Sequence, residues 1–463
     1  MTYPGFIFWI CLLWAACSRG PALYYVFFAS WSFGTLAVVP SGVGNLTAPW
    51  IAACVLTVRV VQEQGLRQFV RALFDPRRFG LLGLCTLYAA ASAYFLPRIF
   101  AGQVNVVAMR AGEYPGAGPL RPDMANVTQG LYFVITSLTV ISAYLICLDS
   151  TRRRRFLQAF AWGGAVAIIT GLVDLAANRT GLSGLLDPFR NARYALNLDQ
   201  EVVGLHRIVG LASEAAAYAG LCVPFLSLLA LTPPKDSPWG RWRVPLCLGL
   251  LLMICLSTSS SGYVGLCALG AVLGLSLFMG MLEKRRSAWW GGYGALMVVA
   301  GAAAVLLAMP SLFDPVFRII DVVVLQKTGS QSYLERSTWN RISYDAFLHT
   351  HLLGVGIGGA RASSWIYSVL SNIGLPGALL YFLSLAQLVF AHVRAPDDRT
   401  LARAAKLSLA PLLLQASVGS TSAGFGLAGA TFFGLAGALC WPVAVPARRR
   451  SPQRDLPLLT ASP

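Results

Sequence analysis

The sequence predicts an all-α protein, a polytopic membrane helix bundle with about 12–13 spans. Apolar residues make up 56% of the 463 residues and charged residues only 12%, about half the charged share of an ordinary soluble domain. Apolar runs of about 20 residues, the length that crosses a bilayer, follow one another along most of the chain. These observations exclude a soluble multi-domain enzyme and a disulfide-rich scaffold.

Thirteen segments qualify as candidate spans, of which the first and eighth are short. They are 3–18, 22–40, 46–62, 79–98, 129–149, 156–176, 211–232, 244–258, 262–282, 288–309, 363–392, 405–421 and 424–445. The first is interpreted as a retained span because no basic residues precede it, as they would in a signal peptide.

The cations predict the orientation of these spans. Clusters such as Arg152–Arg155 and Lys284–Arg286 lie between apolar runs, and basic loops stay in the cytoplasm. The net charge of +17 is therefore attributed to topology, and no nucleic-acid partner is predicted. Twelve cations remain in outer loops, and eleven are arginine. Arginine binds phosphate and carboxylate bidentately, although a general bias toward arginine in this chain would give the same count.

The spans divide the chain into four regions. Residues 1–309 form transmembrane spans with long outer loops near 99–128 and 177–210, and 310–362 is a large outer loop with helices predicted at 314–326 and 335–349. Residues 363–445 form the C-terminal spans, and 446–463 is a cytoplasmic tail. Outer loops of this length are usually functional.

The segment that ends the second long outer loop contains the first candidate site. Arg207 falls at the membrane boundary, and Glu214 is predicted about two turns into the next helix. A carboxylate there is costly unless it is paired or lines a polar cavity. Two interpretations stay open: a Glu214–Arg207 pair that holds the helix end, and a base or orienting group in catalysis. Tyr218, one turn further on, is a candidate substrate contact.

Two further motifs follow. Ser257–Tyr263 is predicted to be a tight turn whose hydroxyls satisfy freed backbone groups, with binding of a sugar or phosphate oxygen as the alternative. In 335–349, Arg336 and Asn340 share a helix face because they are four residues apart. The glycine-rich stretch Gly354–Gly359 could bring backbone N–H groups to a phosphate; a dinucleotide loop is a weak match without a preceding strand.

Together these residues resemble the O-antigen polymerase/ligase superfamily over roughly 200–395. An Arg-x-x-Gly element matches Arg207 to Gly210, and a Thr-x-Ser-Arg-Gly turn is kept at Thr258 and Gly262 without its arginine. A Glu-Arg pair about twenty residues before Gly-Val-Gly matches Glu335 and Arg336.

One departure from the pattern bears on the activity. In the ligases a His-Asn pair stands eleven residues before a Gly-x-x-Gly, and Ser363 and Ser364 occupy those positions here. The resemblance therefore favours the exopolysaccharide or O-antigen repeat-unit polymerases. The alternatives are an O-antigen ligase that transfers glycan to lipid A core and a transporter or flippase for the lipid-linked sugar. Transporters usually carry midplane charges and paired broken helices, whereas here the charges gather at the outer boundary and in outer loops, and the glycine and proline breaks are not paired.

The resemblance implies a GT-C-like membrane glycosyltransferase with a periplasmic helical subdomain in the bacterial inner membrane. Its expected partners are a polyprenyl-pyrophosphate-linked oligosaccharide, the growing polysaccharide, a chain-length regulator, a flippase and the lipid bilayer. No cofactor is expected, and catalysis is predicted to be metal-independent because no outer cluster of acidic or histidine side chains offers metal ligands. Predicted catalytic residues are Arg207 and Arg336 as a clamp on the pyrophosphate and Glu214 as the base, with Glu335 or His349 as alternative bases. Predicted substrate contacts are Arg341, Arg361, Glu335, Arg193, Arg190 and Tyr218.

Overall fold

The computed structural model describes residues 2–39, 46–109, 116–192, 196, 201–202, 205–282, 331–393 and 395–442. Helices dominate these residues, which confirms the all-α prediction. The predicted span 288–309, the predicted helix 314–326, the tail 446–463 and the candidate Arg193 lie outside the described residues.

The helices follow the apolar runs, with shifted ends. They are α1 (Tyr3–Cys17), α2 (Ala22–Ser30), α3 (Ala48–Gln64), α4 (Leu66–Phe74), α5 (Gly80–Ile99), α6 (Met124–Cys147), α7 (Ser150–Thr180), α8 (Ala215–Leu231), α9 (Arg243–Leu256), α10 (Ser260–Leu282), α11 (Gln331–His349), α12 (Trp365–Val389), α13 (Arg399–Leu407), α14 (Leu409–Gly419) and α15 (Gly426–Cys440). Two small antiparallel hairpins pair β1 (Asn105–Val107) with β2 (Ala117–Pro119) and β3 (Glu201–Val202) with β4 (Leu205–His206).

Five of these helices are long and apolar enough to cross a membrane: α5, α6, α7, α10 and α12. Helices α1, α2, α8 and α15 are apolar but shorter. The predicted span 405–421 is divided between the amphipathic α13 and the apolar α14. Leu401, Ala402 and Ala405 form the buried face of α13, while its charged residues prevent it from being part of an apolar span.

Helix α6 lies at the centre of the bundle, where it packs against α3, α5 and α15. Close approach to α15 depends on Gly434, at which an added Cβ would lie 2.6 Å from the Ala143 Cβ. A second part of the core is aromatic, with Phe28 packed edge-on against Phe156 and Phe160 at centroid distances of 4.8 and 5.3 Å. Buried apolar area of this kind is what holds the helices together.

The cation-rich loops meet at one end of the bundle. Arg152, at the start of α7, pairs with Glu63 at the end of α3 at 3.0 Å. Arg153 pairs with Asp398, just before α13, at 2.9 Å. We call this the cation-rich end. The opposite end, where α5, α7 and α9 end and α6, α8 and α10 begin, is called the site end.

Helix α12 is broken at Gly374, and the loop 352–360 fills the break. Gly374 has φ +61° inside an otherwise helical run. The freed backbone groups find partners in the loop: the Leu375 N–H donates to the Leu352 carbonyl at 2.8 Å, and the Val355 N–H donates to the Ser371 carbonyl at 2.7 Å. The break is therefore a docking point for the loop.

The glycines of this loop serve close packing. An added Cβ at Gly356 would lie 2.5 Å from the Ser92 carbonyl oxygen of α5, and one at Gly358 would overlap the Ala125 carbonyl of α6. The Asn126 amide donates to the Ile357 carbonyl at 2.8 Å. Because residues 354–360 are all buried and pressed against other backbone, the idea that this stretch cradles a phosphate gives way to a structural role.

Candidate anion-binding site

Three guanidinium groups lie within electrostatic range of one carboxylate at the site end. Arg336 of α11 places Nη2 4.0 Å from Oε2 of Glu214, and both side chains are less than a third exposed. The charges of Glu214 and Arg336 also act on Arg207 and on Arg361. We call Arg207, Arg336 and Arg361 the arginine cluster. These residues are far apart in sequence, so only the fold brings them together.

Arg207 is held by the turn between α9 and α10. Its Nε donates to the Ser257 carbonyl at 3.2 Å and its Nη2 to the Thr258 carbonyl at 3.3 Å. The predicted turn at 257–263 is shorter in the structure, 257–259, because α10 already begins at Ser260. The Ser259 hydroxyl accepts from the Gly262 N–H at 3.4 Å. Thr258 has φ +45°, a strained conformation for a β-branched residue. Strain of this kind clusters at functional sites.

The prediction that Glu214 lies about two turns inside a helix is wrong. Glu214 lies immediately before the helix. Helix α8 begins at Ala215, with Glu214 extended at its N-cap position. The helix starts late because residues 209–211 are bonded to other elements: for example, the Leu211 carbonyl accepts from the Thr35 hydroxyl at 2.9 Å. A carboxylate beside a helix N-terminus is stabilised by the helix dipole.

Helix α11 carries Arg336 and holds the neighbouring loop. The predicted helix 335–349 is confirmed, and Arg336 and Asn340 share a face as expected. Asn340 Oδ1 accepts from the Ser363 N–H at 2.8 Å, so α11 is fixed to the segment that precedes α12. The Ser343 hydroxyl donates to the Arg361 carbonyl at 3.2 Å.

Arg361 completes the cluster from a third element. Its backbone N–H donates to the Val107 carbonyl of β1 at 2.9 Å. Its guanidinium lies over the ring of Trp339, with Cζ 4.3 Å from the ring centroid, a geometry that stabilises a cation. Both the backbone and the side chain of Arg361 are therefore oriented by neighbouring elements.

The electrostatics of the cluster favour an added anion. Burial lowers the pKa of Arg207 and of Arg361, Glu214 opposes that shift, and Arg336 reinforces it. The three guanidinium groups and the Glu214 carboxylate together carry a net charge of +2. A bound anion would restore the stabilisation that the two half-buried arginines lose by desolvation.

Arg190 and Tyr218 lie apart from the cluster. Arg190 Nη2 pairs with Asp174 Oδ1 at 2.7 Å, and the two side chains are 6% and 1% exposed. The Tyr218 ring is fully buried and its hydroxyl donates to the Ala167 carbonyl at 2.7 Å. Buried polar groups that already have protein partners are poorly placed to bind substrate, so we assign both residues structural roles in place of the predicted substrate contacts.

The other predicted residues lie on α11. Glu335 and Arg341 are exposed there. His349, an alternative base, is also exposed and places Nδ1 2.7 Å from the Asp345 carbonyl oxygen. Within the ranges that the structure describes, no group of three histidine, cysteine, aspartate or glutamate side chains could hold a metal ion.

Sequence reasoning missed Asp174. This residue lies inside the apolar helix α7 and is 1% exposed. A single carboxylate in a predicted span is costly and marks a partner or a function, so the signal was present in the span 156–176.

No protein-family model matches the chain, and no curated protein is similar enough to be a relative. The fold defines the class of protein: an all-α bundle in which five helices of the described residues are long and apolar enough to span a membrane.

Proposed function

We propose that the chain is a membrane glycosyltransferase that polymerises polyprenyl-pyrophosphate-linked oligosaccharide repeat units into surface polysaccharide. The observation that carries the proposal is that Arg207, Arg336 and Arg361 lie within electrostatic range of Glu214 at one end of a bundle of apolar helices. Such a site suits a substrate that joins a lipid tail to an anionic headgroup.

The arginine cluster supplies what the departing pyrophosphate needs. When an acceptor hydroxyl displaces the sugar at its anomeric carbon, the bond from that carbon to the phosphate oxygen breaks and negative charge grows on the pyrophosphate. Fixed cations stabilise such charge without having to reorganise. The hydrogen bonds of Arg207 to Ser257 and Thr258 and the stacking of Arg361 on Trp339 provide that fixed placement.

Glu214 is the proposed acceptor of the proton. Its carboxylate lies 4.0 Å from the Arg336 guanidinium, so an acceptor hydroxyl that enters the site to attack the anomeric carbon would come close to it. Transfer of the hydroxyl proton to Glu214 balances the new bond from the acceptor oxygen to the anomeric carbon. General base catalysis typically contributes about 10² to 10⁴-fold.

The proposed orientation follows from the two ends of the bundle. Cationic loops stay in the cytoplasm, so the cation-rich end would face inward in a bacterial inner membrane. The site end would then face the periplasm, where acceptor chains grow. The exposed apolar side chains of the helices, such as Leu84 and Leu87 on α5, would face lipid.

A deletion strain complemented with variants tests the proposal. Arg336→Ala should leave single repeat units on the lipid and remove long polymer at normal protein level, because an oxyanion stabiliser contributes about 10² to 10³ in rate. Arg336→Lys, which keeps the charge without the planar fork, should retain part of the activity. The matched control is Arg121→Ala, since Arg121 is an exposed arginine at the site end.

Electrophoresis of surface polysaccharide and of lipid-linked intermediates distinguishes the outcomes. Long lipid-linked polymer that accumulates unattached in the deletion strain would contradict polymerisation and point to a ligase. Equal polymer from Arg336→Ala and Arg121→Ala would contradict the clamp.

A further inference from the structure

The buried ion pair of Asp174 and Arg190 takes no part in the chemistry proposed above. Asp174 projects from the apolar helix α7, and Arg190 comes from the loop that follows α7. An ionised pair inside a membrane bundle is costly unless its remaining hydrogen-bonding capacity is used. The partners of these two side chains therefore indicate why the pair is there.

The pair binds the backbone of the segment that carries Arg207. Asp174 Oδ2 accepts from the Val209 N–H at 2.8 Å and from the Gly210 N–H at 3.0 Å. Arg190 Nη2 donates both to Asp174 Oδ1 and to the Gly210 carbonyl, each at 2.7 Å. The donor and the acceptor of the Gly210 backbone are thus both bound to the pair.

Gly210 itself is adapted to this contact. Its φ of +57° lies in the left-handed region, and an added Cβ would lie 2.8 Å from the Tyr218 ring. The segment is therefore bound by the ion pair on one side and packed against Tyr218 on another. Arg207, which is two residues before Val209, is itself bonded to the turn between α9 and α10.

We infer that Asp174 and Arg190 are positioning residues that hold the 207–210 segment so that Arg207 meets an incoming pyrophosphate. The inference rests on the proposed function for the ligand, but the hold on the backbone is independent of it. Neither residue touches substrate; each acts through Arg207. A binding group displaced by about 1 Å can lose on the order of 10²-fold in rate.

The first test is hydrogen exchange on the full chain in nanodiscs. In the wild type one carboxylate oxygen of Asp174 binds Arg190 and the other binds the two backbone N–H groups. Asp174→Asn leaves only one acceptor oxygen for these partners, so hydrogen exchange at Val209 and Gly210 should accelerate at least about tenfold. Arg190→Lys is a milder variant and should shift exchange in the same direction. The matched control is Asp398→Asn, which removes the ion pair with Arg153 at the cation-rich end and should leave exchange at these two amides unchanged.

The second test measures binding of farnesyl pyrophosphate to the same samples. Asp174→Asn should weaken binding about tenfold or more, the range typical when a residue that orients a binding group is lost. The loss should disappear in an Arg207→Ala background, because a residue that acts through Arg207 has nothing left to position. A general loss of structure would instead weaken binding in both backgrounds.

The outcomes separate the two proposals. Wild-type protein that does not bind farnesyl pyrophosphate overturns the proposed function, whatever the exchange shows. The positioning role alone is overturned if Asp174→Asn weakens binding as much in the Arg207→Ala background as in the wild type. It is also overturned if exchange at Val209 and Gly210 is unchanged in Asp174→Asn.

Discussion

Replacing Gly374 by alanine tests the docking of the glycine-rich loop into the break of α12. Gly374 has φ +61°, and an added Cβ would lie 2.5 Å from the Leu352 carbonyl oxygen and closer still to the Leu353 carbonyl. These atoms are backbone and cannot rotate away. The substitution should therefore force the loop, and with it Arg361, out of place.

The expected magnitude has two parts. An L-residue in the left-handed conformation costs about 1–2 kcal/mol, and overpacking a filled site typically costs about 1–3 kcal/mol. Gly374→Ala should thus lower the free energy of unfolding by roughly 2–5 kcal/mol.

Two control glycines separate these parts. Gly102 has φ +72° but open space around its Cβ position, so Gly102→Ala should show only the conformational cost of about 1–2 kcal/mol. Gly270, within α10, has open space and no positive φ, so Gly270→Ala should be neutral or stabilising by up to about 1 kcal/mol. The assay is the fraction of monodisperse protein after heating in detergent. If Gly374→Ala proved as stable as Gly102→Ala, the docking argument would be refuted.

Two other side chains give predictions of opposite kinds. Tyr218→Phe removes the hydrogen bond to Ala167 and should cost about 1 kcal/mol of stability while leaving the affinity for farnesyl pyrophosphate unchanged; weaker binding in a titration would restore Tyr218 as a substrate contact. Trp339→Leu removes the ring under Arg361, an interaction of about 0.5–2 kcal/mol, and should lower polymer yield several-fold at normal protein level. Trp162→Leu, at an exposed position of α7, is its control, and equal yields would argue against stacking as the orienting contact.

The helical class and the approximate course of the chain could be predicted because membrane spans are local. An apolar run of sufficient length predicts a helix whatever it packs against, and α5, α6 and α10 follow their predicted runs within a few residues, apart from the N-terminal end of α6. The predicted span 405–421 begins too early, because 405–407 belong to the amphipathic α13 and the apolar helix α14 begins at Leu409.

The candidate site was predictable only in part. The sequence predicts Arg207, Arg336 and Arg361 as outer-loop arginines that bind an anion, and the structure places all three within electrostatic range of Glu214. Arg190 satisfied the same criterion but forms a buried pair with Asp174. Residue type and position in a loop do not distinguish an arginine of the cluster from one that is buried in an ion pair.

The sequence alone determined that this is an all-α chain with several helices long and apolar enough to span a membrane, and with basic residues between them, because apolar length and charge are properties of single segments. The tertiary structure decided what each glycine and each charge does. Gly356 and Gly358 press against α5 and α6 instead of binding phosphate, and Asp174 binds the segment beyond Arg207. These roles depend on atoms contributed by segments far apart in the chain, and local patterns carry no information on which of those segments will meet.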